Sequence, residues 1–141
     1  METDEITGIV VDAAVKIHRD LGRNLFESVY ELALAALIER RGLRVQRQAA
    51  FGFVYEGIEF LRGFRVDLLV EDSVVLELKV VERLLPVHRT QLLTYLRLAN
   101  LPVGLLLNFG APTMKDGIKR LVNSAPPSAS SPLRVNRPRD S

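Results

Sequence analysis

Asp67, Glu77 and Lys79 are the residues of this chain whose types and spacing suggest chemistry. In "VVLELKV", residues 74–80, the even positions Val74, Leu76, Leu78 and Val80 are apolar, the period-two pattern of a strand. The other face of that strand carries Glu77 and Lys79 side by side. A second strand pattern, "FRVDLLV", precedes it, separated only by "EDS" at residues 71–73. With those three residues as a hairpin loop, Val70 pairs with Val74, and counting outward puts Asp67 opposite Glu77. Directly opposed residues have Cβ atoms about 4.5–5.5 Å apart, and like charges there repel. Facing carboxylates ask for a shared proton, a hard cation such as Mg²⁺, or an ammonium, which Lys79 supplies one pleat away. The plainer alternative is a solvated face with a Glu77–Lys79 or Asp67–Lys79 ion pair. Against it stands the setting: both acids lie in the most apolar part of the chain, and buried charges are rarely left unpaired.

Three further positions bear on such a site. Gln91 and Tyr95 are four apart and share a helical face, which His88 joins three residues earlier. A half-exposed polar stripe explains these equally well, and His88 alone reads as structural. Glu27 follows Asn24 by three, so "NLFE" reads either as a capping box or as a carboxylate sent from a helix start towards the site.

The elements that must hold these residues follow from periodicity. Residues 4–21 form an amphipathic helix with Ile6, Ile9, Val10, Ala13, Ala14, Ile17 and Leu21 inward, stopped at Gly22. Residues 25–41 form a second, with Val29, Leu32, Ala33, Ala36 and Leu37 on its apolar face, and Gly42 ends it. "LRVQRQAAF" and "GFVYEGIEFL" are short strands with a turn near Glu56–Gly57. After the two central strands a helix begins near Pro86, with Leu92, Leu93, Leu96 and Ala99 apolar. "VGLLLNF" has the composition of a strand buried on both faces. "TMKDGIKRLV" reads as a last short helix. The fold class is therefore α/β (α+β), helices around a mixed sheet.

Together these motifs resemble a known family. Nine residues lie between Asp67 and "ELK", a spacing similar to the signature of the PD-(D/E)XK nuclease superfamily. "QLLTY", Gln91 to Tyr95, resembles the QxxxY motif of its RecB-like branch, and "NLFESVY" resembles the segment that names the GxxExxY proteins, with Glu27 and Tyr30 in place. The resemblance covers nearly all of residues 4–122. Asn24 stands at the Gly position and Val66 at the Pro position of these motifs; Asn tolerates a left-handed backbone. The resemblance implies a restriction-endonuclease-like core and phosphodiester hydrolysis with Mg²⁺ or Mn²⁺. It implies that Asp67, Glu77 and the Leu78 carbonyl ligate the metal, with Glu27 as a further ligand, direct or through water. Lys79 would orient or deprotonate the attacking water, and Gln91 and Tyr95 would position the site or the substrate phosphate. The implied substrate is nucleic acid, DNA ahead of RNA. A non-catalytic interaction or regulatory module that kept the fold is the rival reading.

Composition sets the remaining bounds. The 141 residues fit one domain with a real core, at 48% hydrophobic and 26% charged. The absence of cysteine excludes disulfides, thiolate metal sites and a Cys nucleophile. "METDEITGIVVD" has no basic segment leading into an apolar stretch, so no signal peptide is expected. No apolar run approaches the ~20 residues of a membrane helix, and a cytoplasmic protein is expected. From Ser124 onward, Arg134, Arg137 and Arg139 against Asp140 account for the whole net charge of +2. Residues 1–123 are therefore about neutral, so any nucleic-acid reading must rest on a site rather than on bulk charge. Residues 124–141, rich in Pro, Ser and Arg, are expected to be a disordered tail. A homodimer, through the final helix or an exposed edge, or a protein partner is compatible with this chain.

Overall fold

The computed structural model describes residues 1–124 and the backbone of 133–136. Helices α1 (Thr3–Leu21) and α2 (Glu27–Arg40) lead into strands β1 (Val45–Tyr55), β2 (Ile58–Val70) and β3 (Val74–Lys79). Then come α3 (Pro86–Ala99), β4 (Val103–Asn108), α4 (Met114–Gly117), β5 (Ile118–Val122) and β6 (Leu133–Asn136). The strands make one mixed sheet in the order β5-β4-β3-β2-β1-β6. Among the described residues only β3 and β4 pair in parallel, with α3 as the crossover between them, because parallel neighbours need a long connection. Among the described residues no helix is long and apolar enough to cross a membrane.

The sheet carries a core on each face. Tyr30, Leu34 and Ile38 of α2, with the inner face of α1, pack on Leu68, Val70, Val74, Leu76 and Leu78. Leu92, Leu96 and Ala99 of α3 pack on Ala49, Phe51, Val66, Leu69, Val75 and Leu106. β4, expected to be buried on both faces, is buried at every position. β3 is buried from Val74 through Leu78.

Several elements depart from the periodicity. The stretches before Asp67 are not a set of short strands. β1 and β2 are one long hairpin, closed at Glu56 (φ 50°) and Gly57 (φ 77°) with Tyr55 opposite Ile58. Two successive positive φ values match the right-handed twist of the strands, which is why such turns close hairpins. "TMKDGIKRLV" is helical only over Met114–Gly117 and then becomes β5, because the open edge of β4 offers it a ladder. α2 buries Tyr30, Glu31, Leu34, Ala35 and Ile38 rather than the face of Val29, Leu32, Ala33, Ala36 and Leu37. Its sequence is apolar nearly all round, so spacing alone does not choose the side. The choice is made by Tyr30, whose hydroxyl donates to Gly22 O (2.7 Å) and accepts from Leu25 N (3.0 Å) while its ring stacks on Phe109 at 4.3 Å. Leu21 and Leu93, expected inward, are exposed.

Leu133–Asn136, inside the segment expected to be disordered, run as β6 against Gly52–Tyr55 of β1. The free edge of β1 presents unpaired backbone groups that a passing strand can satisfy. The rest of that expectation, at 125–132 and 137–141, lies outside the described residues.

Candidate active site

The hairpin between β2 and β3 has the register that a three-residue loop requires. Val70 pairs with Val74, Leu69 with Val75 and Leu68 with Leu76. Glu71 and Asp72 take positive φ in the loop, and Glu71 accepts from Arg44 N at 2.8 Å, which ties the turn to the start of β1. The regular ladder ends at Leu68, and one step further Asp67 and Glu77 meet. Their side chains there take over backbone groups: Asp67 Oδ2 accepts from Leu78 N at 2.8 Å, and Glu77 Oε1 accepts from Asp67 N at 3.3 Å.

Asp67 reaches this place because the β1–β2 pair changes faces beside it. Val45 packs against the α1/α2 core, and its partner Val70 and then Leu68 belong to it. Ala49, Phe51 and Val66, at the same parity, belong to the α3 core. The switch falls at Gln48 and Asp67, where Gln48 has φ 50°. Gln48 Nε2 donates to Glu31 Oε1 (2.7 Å) and stands 3.5 Å from Asp67 Oδ1. Glu31 Oε2 accepts from Arg47 Nε and Nη2 at 3.3 and 3.1 Å.

Glu77 is 6% exposed. Burial, and then the charge of Asp67, push its carboxyl up to about 8, with Lys79 opposing. Glu27 is the first residue of α2, whose N-cap is Phe26, so the capping box with Asn24 does not form. Asn24 has φ 70°, the left-handed backbone that suits the Gly position of the motif. The Tyr30 hydroxyl pins this loop and so sets where Glu27 begins. Although Glu27 as a whole is exposed, partial burial of its carboxyl and then the Asp67 charge push it upward, while Lys79 acts against them.

Lys79 ends β3 half-buried, and its carbonyl accepts from Phe109 N at 2.8 Å. Just beyond, buried Asn108 accepts from Val81 N and Gly110 N and donates to Val81 O, which locks the exit of the strand. Tyr95 stacks on Phe64 at 4.6 Å, and burial, then the charges of Glu77 and Asp67, raise its hydroxyl. Gln91 is exposed one turn earlier on α3. His88 serves α3 itself, its Nδ1 accepting from Leu85 N at 2.9 Å.

Asp67 and Glu77 are thus together, Leu78 N is bonded to Asp67, and Glu27, Lys79 and Tyr95 are coupled to the pair by charge. Gln91 has no hydrogen bond to this group among the described residues. Glu31, Arg47 and Gln48 went unread in the sequence. Glu31 had one signal, its place four residues after Glu27 on the same helical face. Among the described residues no three carboxylate or imidazole groups close around a metal position. The donors nevertheless suit a hard cation, since Mg²⁺ is commonly bound by one or two carboxylates with water and substrate oxygens completing its shell.

Residues 4–121 match the model of a protein family, the PD-(D/E)XK nuclease superfamily. No curated protein and no solved structure matches the chain.

Proposed function

The chain belongs to the PD-(D/E)XK nuclease superfamily, and from that premise we propose that it is a Mg²⁺- or Mn²⁺-dependent nuclease, acting on DNA ahead of RNA. The observation that carries the proposal is the pairing of Asp67 with buried Glu77, the Glu77 carboxyl accepting from Asp67 N and the Asp67 carboxyl from Leu78 N, with Lys79 one pleat away. A structural ion pair would not need the second acid.

Asp67, Glu77 and the Leu78 carbonyl would hold the cation, with Glu27 approaching from the start of α2. When bound, the cation supplies a lowered pKa for its water and charge to offset that developing on phosphate. The chain does the rest. Lys79 orients the attacking water on the scissile phosphate and stabilises negative charge there. Tyr95, fixed by its stack on Phe64, and Gln91 hold the substrate phosphate. Glu77 releases its proton when the site is loaded, since it is protonated near neutral pH in the free protein. The "NLFESVY" segment, with Asn24 in a left-handed backbone and Tyr30 pinning the loop, supports placing the chain with the GxxExxY proteins. We assign the activity to residues 1–123, in the cytoplasm.

The test is hydrolysis of single- and double-stranded DNA and RNA with Mg²⁺ and with Mn²⁺, using Lys79→Ala as control. Loss of a water-activating group lowers rates by about 10²–10⁴-fold. Equal rates for wild type and Lys79→Ala, or no cleavage of any substrate by wild type, would refute the proposal.

A further inference from the structure

Beside the facing carboxylates lies a bridge with no part in the reading above, although its interpretation rests on that reading's metal site. We propose that Gln48 is a positioning residue: its carboxamide aims Asp67 and, together with Arg47, keeps Glu31 from joining the cation.

Glu31 is the fourth carboxylate of the neighbourhood, 6% exposed and four residues after Glu27 on the same face of α2. Left free, it would compete for the cation and add its charge to the repulsion. Instead both its oxygens are engaged, Oε1 by Gln48 Nε2 at 2.7 Å and Oε2 by the Arg47 guanidinium at 3.1 Å. Hydrogen bonds to an ionised group are about twice as strong as neutral ones, so Glu31 is held where it is. The same Nε2 stands 3.5 Å from Asp67 Oδ1, while Asp67 Oδ2 is fixed by Leu78 N at 2.8 Å. One oxygen of Asp67 is therefore anchored and the other is only loosely held, which leaves Oδ1 as the oxygen able to turn to a cation.

The backbone supports this assignment. Gln48 has φ 50°, a left-handed conformation inside a strand. A residue other than Gly or Asn is strained there, and such strain gathers at functional sites. It coincides with the change of face at Gln48 and Asp67, and the Gln48 carboxamide spans from a carboxylate of α2 to one of β2.

The test compares full-length wild type, Gln48→Met and Gln48→Gly by calorimetric titration with Mn²⁺, alongside melting curves in chelator. Met keeps the length of the side chain and removes the donor. Gly accepts the positive φ without strain, so this variant folds even where Met does not. We expect both variants to melt lower than wild type without metal, since buried Glu31 loses its 2.7 Å bond from Gln48, and to bind Mn²⁺ about 10–100-fold more weakly, the usual loss when a group that orients a ligand is removed. Variants that lose metal-free stability but keep wild-type Mn²⁺ affinity overturn the proposal and make Gln48 a cross-link of the fold. Unchanged stability with unchanged affinity overturns it as well. A wild type that takes up no Mn²⁺ overturns the metal reading, and the role of Gln48 with it.

Discussion

Replacing Glu77 by Gln removes the cost of ionising a buried carboxyl that faces Asp67. Glu77 is raised from 4.5 to about 8, first by burial and then by Asp67. In the metal-free protein the folded state therefore holds a proton that the unfolded chain has already lost, throughout the window between those values. Stability follows the difference in bound protons, so it falls as pH rises from 4.5 to about 8 and levels off above. The full rise corresponds to about 5 kcal/mol, of which about 3 kcal/mol falls between pH 5.5 and 8.5. For a domain of this size that is a drop in melting temperature on the order of 10 °C. Glu27, raised in the same direction, adds to the slope. Asp20 and Glu71, both lowered, act only on the acid side of this window. The carboxamide introduced by Glu77→Gln would mimic the protonated acid, and its oxygen can still accept from Asp67 N. The expected result is that Glu77→Gln matches wild type near pH 5 and exceeds it progressively towards pH 8.5. The assay is thermal unfolding followed by calorimetry in chelator across that range. Wild type and variant losing stability in parallel with pH would refute the reasoning, since the slope would then belong to other groups.

Asp67→Asn keeps an acceptor for Leu78 N and removes the charge that opposes ionisation of Glu77, so above about pH 8, where Glu77 is ionised, its metal-free melting temperature should equal or exceed wild type. The same variant should lose the metal-induced shift, about 2.7 kcal/mol at a hundredfold excess over the dissociation constant, and with it hydrolysis; destabilisation without metal and no response of wild type to Mg²⁺ would favour a structural Asp67–Lys79 pair. Tyr30→Phe keeps the stack on Phe109 but strands Gly22 O and Leu25 N, an expected loss of about 1–3 kcal/mol that chemical denaturation would measure. Deleting residues 124–141 removes β6, which among the described residues pairs with Gly52–Tyr55 of β1, and takes no residue from either core. A single cooperative melt, lowered by at most about 1–2 kcal/mol, is expected, and loss of cooperativity would show that the segment completes the fold.

The chemistry was most legible where the local rule is strict. A strand alternates with period two and a three-residue loop fixes register, so the meeting of Asp67 and Glu77 could be counted from "DLLVEDSVVLE" alone. Pro86 marked the start of α3 and the unbroken apolar run marked β4 as buried. The positive φ of Asn24 was likewise readable from its place in a Gly position. These are decisions made within a few residues, by sterics and by side-chain alternation.

Tertiary structure decided whatever needed a distant partner. α2 is apolar on two sides, and only the fit of Tyr30 between Gly22, Leu25 and Phe109 selects the buried one. Residues 118–122 carry a pattern that suits helix or strand, and the open edge of β4 makes them a strand. Gln48 and Glu31 are 17 residues apart and belong to different elements. Their junction, and with it the setting of Asp67, exists because β1 and β2 change faces at one strained residue. No periodicity records such a switch, since it is the packing of two cores on opposite faces of one sheet that imposes it.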